Sequence, residues 1–257
     1  MNIIVCIKQT FDTEAKVVLD KEGKVDSAGV TLVINPDDEY AVEEGIRLKE
    51  KFGGEVTLVS LGNSNTITAL RTALAMGADK AVLIDDPALA ESDELGAVEV
   101  LAKSISSLNY DIILTGKTDV DTGASQIPVR LAEKLNLPSA NMVTKLEIDG
   151  TKATTVREID GGKETLELTL PAVIAVQQGI NEPRYPSVPG IMKAKKKELK
   201  TFSLADLGID ATSVAATMKI EKLSLPSARG SVRLIPGEAA DAAIELARIL
   251  SVEKKVL

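Results

Sequence analysis

Histidine and tryptophan are absent from the 257-residue chain, cysteine occurs once, and tyrosine and phenylalanine occur three times each. Without an imidazole there is no His general base, no Ser-His-Asp triad and no His-ligated metal. The lone Cys6 can form neither an internal disulfide nor a thiolate cage for zinc. It stands in the first apolar run and reads as a small buried hydrophobe, and no metal site is expected. Any redox chemistry has to be carried by a bound cofactor. So few aromatic residues leave the core to aliphatic side chains. Positive charge is also in deficit: 30 Lys and Arg against 38 Asp and Glu give a net charge of −8. That argues against nucleic acid or an anionic membrane as main partner, since both call for a basic surface. No apolar run approaches the roughly 18 residues needed to span a bilayer, so no membrane insertion is expected. Met1 to Lys8 opens directly as a strand, without the charged, apolar and small-residue regions of a signal peptide. A cytoplasmic protein is expected, or a matrix-like one if it comes from an organelle.

What is present is an alternation of strands and helices. Apolar runs at the N-terminus and at Val30–Ile34, Glu55–Leu61, Lys80–Ile84 and Tyr110–Leu114 read as strands of a buried sheet. Asn35-Pro36-Asp37-Asp38-Glu39 is a strong helix start, with Asn at the cap, Pro at the first helical position and carboxylates near the positive end of the dipole. This helix runs to Lys51, with Tyr40, Ala41, Ile46 and Leu48 facing inward. Further helices are expected from Gly62-Asn63-Ser64 through Met76 and from Ala90 to Ser106, the latter with Leu95, Val98, Leu101, Ala102 and Ile105 on one stripe. Strands alternating with helices of this length indicate βαβ units and a parallel sheet covered on both faces. Ligands of such sheets bind outside the carboxyl ends of the strands. The turns after Lys8, Leu61 and Thr115 lie at that edge, and the Asn35 helix start reaches it.

The stretch Thr115 to Pro128 joins the strand Tyr110–Leu114 to a helix expected over Gln126–Lys134. Its small residues let several backbone N–H groups converge, and the helix adds the positive end of its dipole, so an anion can sit there without a basic side chain. A phosphate seat is one reading and an ordinary connection is the other. The loop is neither GxGxxG nor GxxxxGK[ST], so it licenses neither a dinucleotide site nor a kinase-type triphosphate site.

After Pro138 the pattern changes. Val143–Ile148, Thr154–Ile159, Glu164–Leu168 and Val173–Val176 alternate or run apolar, with turns at Asp149-Gly150 and Asp160-Gly161-Gly162, and read as hairpins over about 142–176. Three prolines between Gly179 and Gly190 predict a surface loop without regular structure. Ile191 to Glu198 then concentrates positive charge on an acidic protein. From Thr201 an extended arm is expected, ending in an amphipathic helix from Glu238 to Leu250 with Ala240, Ala243, Ile244, Ala247 and Leu250 on one face. Pattern alone leaves open whether it docks on its own sheet or on a partner.

Several tracts in order resemble the β subunit of electron transfer flavoprotein: Val5-Cys6-Ile7-Lys8-Gln9, Asn35 to Glu39, Leu70 to Asp79 and Gly116 to Gln126. Two longer tracts, Arg157 to Leu166 and Asn181-Glu182-Pro183-Arg184-Tyr185 followed by Ile191 to Lys197, are the most specific. The resemblance implies a Rossmann-like, open and mostly parallel α/β sheet with an added β-hairpin region and a C-terminal arm ending in a helix. It implies a nucleotide-binding domain over residues 1–200, a partner-recognition loop over about 181–200, and an arm over 201–257 that packs on the partner subunit. It further implies a non-catalytic electron carrier: a heterodimer with an α subunit, one structural AMP held by this chain, and an FAD shared with the α subunit. Electrons would pass from acyl-CoA or related dehydrogenases to a quinone oxidoreductase or similar acceptor. The AMP pocket would comprise Cys6, Asn35, Pro36, Asp37, Asp38, Leu61, Asp121, Thr122, Gly123, Ala124, Ser125, Gln126, Ile127, Pro128 and Val129. The docking surface would comprise Tyr185, Val188, Pro189, Ile191, Met192, Lys193 and Lys196. A bifurcating β subunit with a second FAD in place of AMP is the alternative, disfavoured by the Lys-rich tract. A stand-alone protein that binds or hydrolyses adenine nucleotide is the third reading.

Overall fold

In the computed structural model, β1 (Asn2–Cys6) runs through the middle of the main sheet, and its side chains alternate between two aliphatic clusters. Ile3 and Val5 join one, Ile4 and Cys6 the other. A strand with both faces covered has no polar side to show, which is why it reads as a continuous apolar run. Residues 1–26 and 28–256 are described; Ser27 and Leu257, which fall in the expected N-terminal connection and C-terminal arm, lie outside the described residues.

β2 (Gln9–Phe11) and β3 (Leu32–Ile34) form a small antiparallel pair of their own. Then follow α1 (Pro36–Phe52), β4 (Glu55–Leu61), α2 (Thr66–Met76), β5 (Lys80–Ile84), α3 (Glu94–Ser106), β6 (Ile112–Gly116) and α4 (Ile127–Leu135). The chain continues through β7 (Ser139–Asp149), β8 (Lys152–Ile159), β9 (Gly162–Thr169), β10 (Val173–Val176), α5 (Val188–Ala194), β11 (Leu199–Phe202) and α6 (Ala239–Arg248). Among the described residues the main sheet has nine strands, in the order β11-β5-β4-β1-β6-β10-β7-β8-β9. All neighbours pair in parallel except β7–β8 and β8–β9. α1 and α2 contribute to the cluster on one face, and α3 and α4 to the other. From β1 the chain builds outward to β4 on one side and later to β6 on the other. That reversal leaves a crevice at the carboxyl ends of β1 and β6.

Several expectations need correcting. Val173–Val176 is not part of the hairpins: β10 returns to lie in parallel between β6 and β7. The helix expected from Ala90 is interrupted. Pro87–Glu91 forms a 3-10 turn, and Asp93 starts α3 by accepting from the N–H groups of Leu95 and Gly96. Leu95, in the exposed first turn, is 43% accessible rather than inward. The Pro-rich loop ends in a helix: Ser187 Oγ accepts from Gly190 N, and Pro189 sits in the first turn of α5, where no N–H is needed. The boundary expected at residue 200 falls inside β11, a short charged edge strand whose apolar alternation is too brief to stand out. Beyond it, Leu204 and Val214 are buried in the same cluster as α3.

Met1–Val17 and Asp26–Glu221 make up one compact unit, and Val18–Val25 with Lys222–Leu257 a second. In the second, Leu19 bridges Val25, and Arg233 and Arg248 pair with Glu245 and Glu253 around α6. No residue of α6 is buried, and Ile244 on its apolar face is 71% accessible. Among the described residues no helix is long and apolar enough to cross a membrane.

Candidate functional site

The crevice opens into a cavity of about 540 Å³ beyond the carboxyl ends of β1, β4, β5 and β6. Of the residues expected there, Cys6, Asn35, Asp38, Leu61, Thr122, Ala124, Ser125, Gln126, Ile127 and Pro128 line it. Pro36, Asp37, Asp121, Gly123 and Val129 do not reach its wall. Lys8 and Lys117, in turns expected at this edge, also line it, as does the stretch Asp85-Asp86-Pro87 after β5, which was not expected there. The rule that placed the other turns at this edge applies equally to the turn after Ile84, so the signal was available.

Two side chains at the start of α1, Asn35 at its N-cap position and Asp38 in its first turn, hold the crevice together. The Asp38 carboxylate, 7% accessible, accepts from Lys8 N at 2.7 Å and Gly116 N at 3.0 Å, joining the ends of β1 and β6. Burial pushes its pKa up to about 7, against the two N–H donors, which favour the charged form. Asn35 occupies the N-cap position but does not cap. Its Nδ2 donates to Thr118 O at 2.8 Å and its Oδ1 accepts from Val120 N at 3.2 Å, tying the loop after β6 to α1. The amide expected to contact a ligand is thus already engaged in shaping the loop.

On the rim, Lys8 Nζ donates to Asp119 Oδ2 at 2.8 Å and Asp121 Oδ1 at 2.7 Å. Burial works against the ammonium charge, but the two carboxylates outweigh it and the Lys8 pKa is raised. Asp119 Oδ1 also accepts from Gly123 N at 2.9 Å. Gly123 (φ 64°) and Ser125 (φ 53°) are left-handed, and the chain turns there into α4. Among the described residues, none accepts from the N–H of Ser125, Gln126 or Ile127. The Gln126 side chain contacts Arg130 instead of capping the helix. Thr115, which also lines the cavity, has a buried Oγ1 with no partner among the described residues. Free N–H groups at a helix N-terminus, an unpaired buried hydroxyl and Lys117 form a donor set suited to a phosphate-sized anion. Asp85, Asp86 and Asp119 line the cavity as well, which disfavours a long polyphosphate. The Cys6 thiol, pushed by burial up to about 12, stays protonated and presents an apolar wall.

The model of the electron transfer flavoprotein domain matches residues 23–207. The chain is also 45% identical to the electron transfer flavoprotein subunit beta of Bacillus subtilis, over the full length of both chains. The chain belongs to the electron transfer flavoprotein β subunits. It is 45% identical to the subunit beta of Syntrophomonas wolfei, over 100% of this chain and 98% of the other, and 39% identical to that of Homo sapiens, over 86% and 88%. As a member of this family it is an electron-carrier subunit rather than an enzyme.

In this β subunit the segment expected to dock partners is well exposed. Tyr185 is 94% accessible, Val188 74% and Met192 68%; Pro189, Ile191, Lys193 and Lys196 are exposed beside them. The basic tract is not uniformly free. Lys197 Nζ turns inward to the Leu74 and Ala78 carbonyls at the end of α2, and Lys200 pairs with Glu198. Arg71 reaches back to the Ala194 and Lys197 carbonyls, fixing the end of α5. Lys193, Lys195 and Lys196 remain exposed on the surface.

Proposed function

We propose that this β subunit holds one AMP in the crevice as a structural ligand and shares an FAD with an α subunit in a heterodimer. The observation that carries the reading is that the cavity is lined by Ser125, Gln126 and Ile127, whose N–H groups have no acceptor among the described residues, and by Thr115, whose buried hydroxyl has no partner among them. A volume of about 540 Å³ lies within the roughly 300–1,000 Å³ of small-ligand pockets. In this reading the start of α4 takes the phosphate, while Cys6, Leu61 and the Asn35-shaped loop enclose the nucleoside. FAD, when bound, supplies the redox chemistry; this chain supplies walls, donors and the surface that partners meet. AMP bound only to the folded state adds stability by linkage. The end of the arm, residues 222–257, packs on the α subunit in this account, while residues 201–221 belong to this chain's own compact unit. Denaturing the co-purified heterodimer and separating its nucleotides should yield one AMP and one FAD. Two FAD and no AMP would instead identify a bifurcating β subunit.

The same reading makes α5 and its approaches the site where acyl-CoA or related dehydrogenases dock before electrons pass on to a quinone oxidoreductase. Val188 and Met192 provide apolar contact, and Lys193 and Lys196 provide steering charge. Long-range attraction acts on association rate and is screened by salt. Reversing both lysines to glutamate is expected to slow reduction by a dehydrogenase on the order of tenfold at low ionic strength, with the gap closing as salt is added. Equal rates at low salt would remove the steering role.

A further inference from the structure

One guanidinium binds the exposed docking segment to the helix that opens the nucleotide crevice. Arg184 Nε and Nη2 fork onto the two oxygens of Glu43 at 2.8 and 2.9 Å, and Nη1 and Nη2 fork onto Glu50 at 2.6 and 3.0 Å. The Arg184 N–H also donates to Glu43 at 3.2 Å. Three residues earlier, Asn181 Nδ2 donates to Tyr40 O and Glu44 Oε2, both at 3.0 Å. Glu43 and Glu50 are seven residues apart and share one face of α1. The Glu43 side chain is 5% accessible and has Arg184 as its cationic partner, whereas Glu50 is 54% accessible. Tyr185 and Val188, one and four residues beyond the clamp, project into solvent.

We infer that Arg184, held by Glu43 and Glu50, is a positioning residue for docking: it fixes the entry of the segment so that Tyr185, Val188 and α5 meet a partner already ordered. The expected partner is an electron donor with an apolar pocket rimmed by acidic side chains. This rests on the docking role proposed above. Without the clamp, the segment has to be ordered on each encounter, and that cost falls on binding.

The test uses the assembled heterodimer with an acyl-CoA dehydrogenase. Arg184→Gln should raise the KM for the carrier about fivefold to thirtyfold, while kcat, flavin content and reduction by dithionite stay near those of the unaltered protein. Arg184→Lys should recover part of the loss, since one ammonium replaces one arm of the fork. Glu50→Gln, which leaves the buried pair intact, should raise KM about twofold to threefold; it decides the matter if Arg184→Gln fails to assemble. Val188→Asp serves as the control on the docking surface. If it raises KM while Glu50→Gln and the Arg184 variants do not, the clamp is overturned. If none of them moves KM, the docking reading falls and the clamp with it.

Discussion

Replacing Gly116 with alanine is expected to lower the melting temperature of the assembled protein by roughly 4–24 °C and to cut its AMP content. Gly116 ends β6 where α1 begins, and an added Cβ would lie 2.3 Å from Asp38 Oδ1 and 2.8 Å from the Asp37 carbonyl carbon. Neither neighbour can move cheaply. Asp37 is backbone in the first turn of α1, and Asp38 is held by the N–H groups of Lys8 and of Gly116 itself. Overpacking costs about 1–3 kcal/mol, and a buried acceptor left unmade adds about 1–3 kcal/mol; each kcal/mol is worth roughly 2–4 °C in a chain of this size. The displaced end of β6 carries the Thr115 hydroxyl and leads through the loop to α4, so the nucleotide should be lost along with the stability. Thermal melts and nucleotide analysis of the same preparation measure both. A variant that melts normally with full AMP would show that α1 and β6 are not locked at this point.

Asp38→Asn gives the second large effect, read through pH. The Asp38 carboxyl has a folded pKa of about 7 against an ordinary value of 3.8. Between those values the folded state binds more protons than the unfolded state, so this group's contribution to stability falls as pH rises through the window and levels off above 7. Asparagine carries no such term, although it can accept through only one oxygen and leaves one of the two N–H groups without its partner. The variant is therefore expected to be less stable than the unaltered protein at pH 5 and to gain on it by about 2–3 kcal/mol by pH 8. Urea denaturation of both proteins at the two pH values isolates the difference, because every other titrating group cancels. A difference that does not change with pH would mean that Asp38 ionises normally.

The parallel sheet was legible because strands covered on both faces must be largely apolar, as β1, β5 and β6 are. The helix start at Asn35 was legible from Pro36 and the three carboxylates after it. What Asn35 and Asp38 do was not, because capping and cross-loop bonding ask for the same short polar side chains. Sequence periodicity sees only the helix. The β5 wall of the cavity was missed although Asp85-Asp86-Pro87 sits at the same sheet edge as the turns that were named. β11 escaped because a four-residue edge strand with lysine and threonine at its exposed positions has no apolar period to detect. The Glu43–Arg184 pair joins residues 141 apart in the chain, a relation that no local pattern carries. Glu43, Glu44 and Glu50 look like an ordinary solvated face until the Pro-rich segment is folded back over them.

The burial of Cys6 has a practical side. A single thiol that is enclosed and kept protonated gives this chain a nearly blank background for thiol chemistry. A cysteine introduced at the exposed Lys195 position, between the two steering lysines, would take a fluorophore or spin label at one defined point on this subunit. Distances from that label would follow the approach of α5 to a partner as it happens.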